Sequence, residues 1–193
     1  MRRSILGLAA TLIALATAGN LQAAITSISF TPQTAGGVKG IVPPDNLDAV
    51  VYKDFNQAVG LGPVDLNVTV DAAGIYLIYE DFSPDPGIQD GFIHNFSGFD
   101  WTDFHFQLIG PSGSSFFGAI YDVFTHDVTM PTTIDLSAGT VPVGSDFHCT
   151  LNVYAGGPGT FTVREWATVP EPSALLLVVL GAASLLGYAW RRR

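Results

Sequence analysis

The sequence contains a single cysteine, Cys149, among its 193 residues. A disulfide within the chain is therefore excluded, even though exported proteins meet the oxidising conditions in which disulfides form. Cys149 alternates with Phe147, Leu151 and Val153, and this spacing predicts an inward-facing position on a strand. We expect a buried thiol that packs as a small apolar side chain and does not act as a nucleophile.

Basic residues are scarce in the central part of the chain. Sixteen of the 17 acidic residues lie between Ala24 and Val169, against three of the eight basic ones, which are Lys39, Lys53 and Arg164. Because an acidic surface repels phosphates, nucleic acid is excluded as a partner. The charge instead favours an exported domain that stays dispersed in solution.

The sequence also lacks the short motifs of common hydrolases and metal sites. Neither Gly-x-Ser-x-Gly nor His-Glu-x-x-His occurs, and His94, His126 and His148 do not have the spacing of metal ligands. We therefore predict no enzymatic activity, no catalytic residues, no cofactor and no metal site.

Acidic residues crowd one loop rich in proline and glycine, and they are Glu80, Asp81, Asp85 and Asp90. Carboxylates in a loop can bind Ca²⁺, but this spacing matches no known type of calcium-binding loop. We therefore expect a solvated acidic loop.

The first 23 residues have the layout of a secretory signal peptide. Arg2 and Arg3 form a positive start, an apolar stretch follows at residues 5–18, and a more polar segment ends at the small residue Ala23. This order predicts export, with cleavage after Ala23. The paired arginines do not complete a twin-arginine motif, so the general secretory route is favoured.

The last 25 residues combine a proline-rich motif, an apolar run and a basic end. Pro170, Glu171 and Pro172 precede the run Ala174 to Trp190, which as a helix would cover roughly 25 Å and so approach the width of a bilayer. Arg191, Arg192 and Arg193 follow, and terminal arginines favour the cytoplasmic side of a membrane. We predict a single transmembrane helix at residues 174–190 that leaves the acidic domain outside the cytoplasm.

This order of motif, span and arginine cluster resembles a PEP-CTERM sorting signal. The resemblance covers residues 169–193 and implies a Gram-negative host that makes extracellular polysaccharide. It implies that an exosortase, a membrane transpeptidase, recognises Pro170, Glu171 and Pro172. The span 174–190 would anchor the protein transiently in the inner membrane, and Arg191 to Arg193 would stop transfer. An ordinary single-span anchor is the alternative.

Residues 24–168 are predicted to form one β-rich extracytoplasmic domain. No helical periodicity is sustained there, and short β-rich runs alternate with Gly, Pro, Asn and Asp. We predict an all-β fold, an antiparallel β-sandwich or jelly-roll-like arrangement, with a hairpin turn at residues 71–74 and another turn at 155–159. The predicted strands are Thr26–Phe30, Ala49–Phe55, Val64–Val70, Gly74–Glu80, Phe92–Phe96, Trp101–Ile109, Ser115–Tyr121, Thr132–Leu136, Phe147–Tyr154 and Thr160–Ala167.

The predicted strand at residues 101–109 has two distinct faces. Alternation places one set of residues on the core side, and these are Thr102, Phe104, Phe106 and Leu108. The opposite face would carry Trp101, Asp103, His105 and Gln107. An aromatic ring beside hydrogen-bonding groups suits a sugar ring, so this face is a candidate glycan-binding surface. The alternative is an ordinary polar face whose tryptophan covers a neighbouring strand.

Three functions follow from these observations. The first is a structural or interaction protein of the cell surface or of an extracellular polysaccharide matrix. The second is a carbohydrate-binding module that uses Trp101. The third is a secreted hydrolase using Asp103 and His105, which the sequence disfavours because it offers no nucleophile beside them.

Overall fold

The computed structural model describes residues 23–31, 36–56 and 63–168, together with Gly181. This part of the chain is all-β, as the sequence predicts. Among these residues no helix has the length and apolar character needed to cross a bilayer. The predicted cleavage site, the motif at 170–172, the helix at 174–190 and the arginine cluster at 191–193 lie outside the described residues, apart from Ala23 and Gly181.

Thirteen strands form in the described residues. The ten predicted strands are present, although the run predicted as Phe147–Tyr154 is divided at His148. Two strands were not predicted, one rich in glycine and one short and polar, and a strand of two residues overlaps the divided run only at Phe147. The strands are β1 Ile25–Thr31, β2 Gly36–Val42, β3 Asp48–Asn56, β4 Val64–Val70, β5 Gly74–Glu80, β6 Phe92–Phe96, β7 Trp101–Ile109, β8 Ser115–Tyr121, β9 His126–Met130, β10 Thr133–Val141, β11 Asp146–Phe147, β12 Cys149–Ala155 and β13 Gly159–Trp166.

The strands form two sheets. The first sheet has the order β1-β4-β13-β7-β10-β9 and is antiparallel throughout. The second has the order β11-β6-β3-β5-β12-β8, with β2 also paired to β3. Strand β3 runs parallel to both β5 and β6, so the prediction of a purely antiparallel fold is wrong for this sheet.

The parallel pairing arises because β5 and β6 lie end to end beside β3. Strand β5 pairs with residues 48–50 and β6 with residues 52–56, and residues 81–91 leave the sheet between them. The amide of Gly91 donates to the carbonyl of Asp81 at 2.7 Å and closes this loop. A Cβ on Gly91 would lie 2.3 Å from the carbonyl oxygen of Val51, so the close approach requires glycine there.

The predicted hairpin at residues 71–74 is wrong. Strand β4 belongs to the first sheet and β5 to the second, so this turn passes from one sheet to the other. The turn after β12 makes the same kind of passage into β13. Alternation fixes which face of a strand is buried, but it does not specify the neighbouring strand.

The inner faces of the two sheets pack into a single core rich in aromatic residues. Phe55 of the second sheet contacts Trp101 and Phe104 of the first, with ring centroids 5.3 and 5.5 Å apart. Tyr76 contacts Phe161 across the same interface at 6.2 Å. These contacts establish a two-sheet sandwich, in which apolar burial is the main stabilising contribution.

Candidate functional site

Trp101 lies in the core and not on the polar face of β7. Its side chain is fully buried, and its indole Nε1 donates a hydrogen bond to Oγ of Ser97 at 2.9 Å. The ring also contacts Phe55 and Phe104, each with a centroid separation of 5.3 Å. The prediction that Trp101 forms a sugar-binding platform with Asp103, His105 and Gln107 is therefore wrong.

The strand pairing beside Trp101 is irregular. The register between β7 and β10 shifts between Ser137, opposite Asp103, and Val141, opposite Trp101. Ala138 within this interval has a positive φ of 57°. The extra residues lie on β10, and beside them the alternation that holds from Phe104 onward does not extend back to Trp101.

The remaining polar residues of β7 hold the end of the domain. Nδ1 of His105 lies 2.7 Å from Oδ1 of Asp135, and Nε2 of His105 lies 3.0 Å from the hydroxyl of Thr168. The amide of Thr168 donates to Oδ1 of Asp103 at 2.8 Å. Asp103 and His105 therefore fix the residue through which the chain leaves the sandwich.

A different tryptophan lies on this outer face. The ring of Trp166 stacks on His105 with a centroid separation of 5.2 Å and an interplanar angle of 20°. It borders an open depression that is also lined by Pro63, Gln107 and Arg164. Of the four predicted glycan-binding residues, Gln107 is placed at this depression and His105 beside it. Alternation along β13 could have identified Trp166, since Phe161 and Val163 mark the inner face of that strand.

The guanidinium group beside Trp166 is held in a fixed orientation. Nε and Nη2 of Arg164 donate to the two carboxylate oxygens of Asp65, at 2.8 and 2.9 Å. This paired geometry orients Arg164 along the sheet and raises its pKa further through hydrogen bonding and charge attraction.

A buried cluster of charged residues lies between the two sheets. Nζ of Lys53 contacts Oε1 of Glu80 and Oε1 of Glu165, and all three side chains are fully buried. Lys53 and Glu80 project from adjacent strands of the second sheet, while Glu165 projects from the first. This cluster was not predicted from the sequence, although each of its residues alternates with inward-facing apolar residues on its strand.

Burial shifts the pKa values of two residues in this cluster. It lowers the pKa of Lys53 and raises the pKa of Glu165, because a charge loses its hydration inside the core. Glu80 accepts a second contact, from the thiol of Cys149 at 3.6 Å, and burial raises the pKa of that thiol well above its ordinary value. Among the described residues, Oε2 of Glu165 has no hydrogen-bond partner.

The acidic loop contains Asp81, Asp85 and Asp90 but not Glu80, which is the buried last residue of β5. The prediction that Glu80 belongs to the solvated loop is therefore wrong. Oδ1 of Asp85 accepts a hydrogen bond from the amide of Gly87, and Oδ1 of Asp90 accepts one from the amide of Ser83, both at 2.8 Å. Within residues 23–168, as far as the structure describes them, no acidic, histidine and cysteine side chains are grouped to hold a metal ion.

Comparison with protein-family models matches residues 168–193 to the PEP-CTERM protein-sorting motif. The chain carries a PEP-CTERM sorting motif. This match confirms the sorting signal inferred from Pro170, Glu171 and Pro172, and it supports an exosortase-sorted protein of the cell surface or extracellular space. Searches of curated proteins and of solved structures gave no match to the chain.

The PEP-CTERM match begins at the residue that the outer face of the first sheet holds. Thr168 is the first matched residue, and Asp103 and His105 hydrogen-bond to it. The polar face of β7 therefore has a structural role at the junction between the folded domain and the PEP-CTERM segment. The sequence did not indicate this role, because Asp103 and Thr168 are 65 positions apart.

Proposed function

We propose that this chain is a structural or interaction protein of the cell surface or extracellular matrix of a Gram-negative bacterium, where it associates with extracellular polysaccharide. The match at residues 168–193 carries this proposal, since the sorting motif directs a protein to an exosortase. The acidic domain supports it, because its charge keeps it soluble outside the cytoplasm.

The proposed route assigns a role to each part of the tail. The signal peptide exports the chain, and the apolar run at 174–190 holds it in the inner membrane. Exosortase then recognises Pro170, Glu171 and Pro172. Thr168 is fixed to the sheet, and Pro170 follows it by two residues in the sequence, so few residues separate the motif from the last fixed position of the domain.

Replacing Pro170, Glu171 and Pro172 together with alanine should abolish processing of the tail. The wild-type protein from the native host should lack the segment from about Ser173 onward or carry an added group near Pro172. The triple variant should keep residues 174–193 and accumulate in the membrane, because the enzyme no longer recognises it. Mass spectrometry of the C-terminal peptide from envelope and medium measures both outcomes.

Asp65→Asn is the control for this experiment. It removes a surface ion pair on the outer face and leaves the motif intact, so its tail should be processed as in the wild type. A wild-type protein that keeps residues 174–193 in the membrane would reduce the tail to an ordinary anchor and refute the proposed route.

A second candidate function is glycan binding at Trp166. The stacked rings of Trp166 and His105 offer an apolar platform, and Gln107 and Arg164 supply hydrogen-bond donors beside it. This replaces the predicted site at Trp101, which is buried. The arrangement suits the face of a sugar ring bordered by hydroxyl groups.

Trp166→Ala should weaken binding to the extracellular polysaccharide of the host about tenfold, equal to about 1.4 kcal/mol. Affinity electrophoresis in gels that contain this polysaccharide measures the effect as lost retardation. Trp101→Phe is the matched control, because it changes a buried ring and leaves the outer face intact. Equal migration of the wild type with and without polysaccharide would exclude this function.

A further inference from the structure

The buried cluster places an amine beside two carboxyl groups in an apolar environment. Nζ of Lys53 contacts one oxygen of Glu80 and one of Glu165, and the ring of Phe30 lies 5.9 Å from the same nitrogen. Each of the three charged residues is 0% exposed. A lysine amine and a carboxyl carbon held in this way are the two reactants of an amide bond.

We propose that Lys53 and Glu80 condense to form an isopeptide bond inside the folded domain, with Glu165 transferring the proton. The bond forms between Nζ of Lys53 and Cδ of Glu80. The bond between Cδ and one carboxyl oxygen of Glu80 breaks, and one water molecule leaves. The reaction requires no oxidant, cofactor or metal.

Each proton that a residue of the cluster loses in this reaction is taken up by another group. A proton passes from the ammonium group of Lys53 to the carboxylate of Glu80, which gives a neutral amine and a carboxylic acid. In one concerted step, the protonated Glu165 gives its own proton from Oε2 to the departing hydroxyl group, while its Oε1 accepts a proton from the attacking nitrogen. Glu165 ends in the protonated form in which it began, and the new amide retains one hydrogen.

The surroundings favour this condensation. Burial lowers the pKa of Lys53 and raises that of Glu165, and both shifts favour the neutral amine and the protonated acid that the reaction needs. The strands hold the amine against the carboxyl group, and such placement can equal an effective concentration of up to about 10⁵–10⁸ M. A buried amide also avoids the cost of keeping two desolvated charges in the core.

The contacts distinguish the roles of the two glutamates. Both oxygens of Glu80 have a partner, since one contacts Lys53 and the other accepts from the thiol of Cys149. Oε2 of Glu165 has no partner among the described residues and is free to carry the transferred proton. This arrangement assigns Glu80 as the carboxyl group that forms the bond and Glu165 as the catalytic acid and base.

The bond would supply a covalent link that this chain cannot obtain from cysteine. Cys149 is the single cysteine, so no intrachain disulfide is possible. The isopeptide bond would join β3 to β5 just beyond their parallel pairing and would close a loop that includes β4. A cross-link of this kind stabilises a fold mainly by restricting the unfolded chain.

Trypsin digestion of the denatured full-length protein tests the bond directly. Between residues 24 and 169, the chain has three tryptic sites, after Lys39, Lys53 and Arg164. We expect one peptide covering residues 40–164, lighter than its sequence mass by one water molecule. Separate peptides 40–53 and 54–164, or an intact 40–164 without this mass loss, would overturn the proposal. A linked species that includes the peptide beginning at Glu165 would overturn the assignment of Glu80.

Two variants test the roles of the residues. Glu165→Gln removes the proton-transferring group in nearly the same volume, and the bond should form about 10²–10⁴-fold more slowly. Lys53→Arg keeps the positive charge without the amine and should be cleaved fully at position 53. Asp65→Asn, on the outer face of the first sheet, should link as the wild type does. Linkage of Glu165→Gln at the wild-type rate would exclude the role of Glu165.

Discussion

Replacing Lys53 with methionine should lower the free energy of unfolding by about 3–5 kcal/mol. Methionine fills a similar volume but leaves Glu80 and Glu165 facing each other in the core without a positive charge. Both carboxyl groups must then take up protons or remain charged without hydration, and either state is unfavourable at neutral pH. Urea denaturation followed by circular dichroism measures this loss.

The matched control removes the whole cluster. A variant with Lys53→Met, Glu80→Leu and Glu165→Leu has no buried charge and should recover the part of the loss that comes from unpaired buried carboxyl groups, since apolar replacements of buried ion clusters are often neutral or stabilising. The part that comes from the proposed cross-link should stay lost. Asp65→Asn, which breaks the ion pair with Arg164 on the surface, should change stability little. If Lys53→Met is as stable as the wild type, the buried contacts of Lys53 with Glu80 and Glu165 do not contribute to the free energy of unfolding.

Replacing Trp101 with alanine should also lower the free energy of unfolding by about 3–5 kcal/mol. The indole is fully buried and fills the space between Phe55 and Phe104. Its removal leaves a cavity and also leaves the hydroxyl of Ser97 without its indole donor. Because the effect is on stability, it should appear in urea denaturation without any ligand present.

Trp166→Ala gives the comparison for this prediction. Trp166 lies partly exposed on the outer face, so its removal leaves no core cavity and should destabilise the protein much less than the change at position 101. Trp101→Phe should fall between the two, because it keeps an aromatic ring but loses the hydrogen bond to Ser97. Equal effects of the alanine variants at 101 and 166 would contradict the buried position of Trp101.

Much of the local structure could be predicted from alternation and turn residues. The strand at residues 64–70, where Val64, Leu66, Val68 and Val70 point inward, was predicted with the bounds that the structure shows. Strand β2 was missed because Gly36, Gly37 and Gly40 remove the apolar pattern. Gly36 and Gly37 pack closely against Tyr52, and Gly40 packs against Ile88. These contacts appear only in the folded structure.

The pairing of strands could not be predicted in the same way. Strands β4 and β5 adjoin in sequence but belong to different sheets, whereas β5 and β6 lie end to end beside β3. Such arrangements depend on contacts between distant parts of the chain, and a local pattern carries no information about them.

The candidate sites differ in the same way: one is a continuous run of sequence, and the other is formed by residues that lie far apart in the chain. The sorting motif is a continuous run, so it could be identified from sequence and was confirmed by the family match. Lys53, Glu80 and Glu165 come from three strands, and their meeting depends on how the two sheets pack. Their inward alternation was nevertheless visible, since Val51 and Phe55 flank Lys53 on the buried face of β3.

The position of β13 determines how the domain would respond to mechanical tension. This strand leads to the sorting segment, and it pairs with β4 over residues 159–165 and with β7 over residues 162–166. A pull on an attached C-terminus would act along β13 and would have to shear both ladders together, whereas an edge strand could be peeled away one bond at a time. Near the end of that strand, Glu165 also contacts Lys53 in the opposite sheet, so extraction of β13 would have to break a link between the sheets as well.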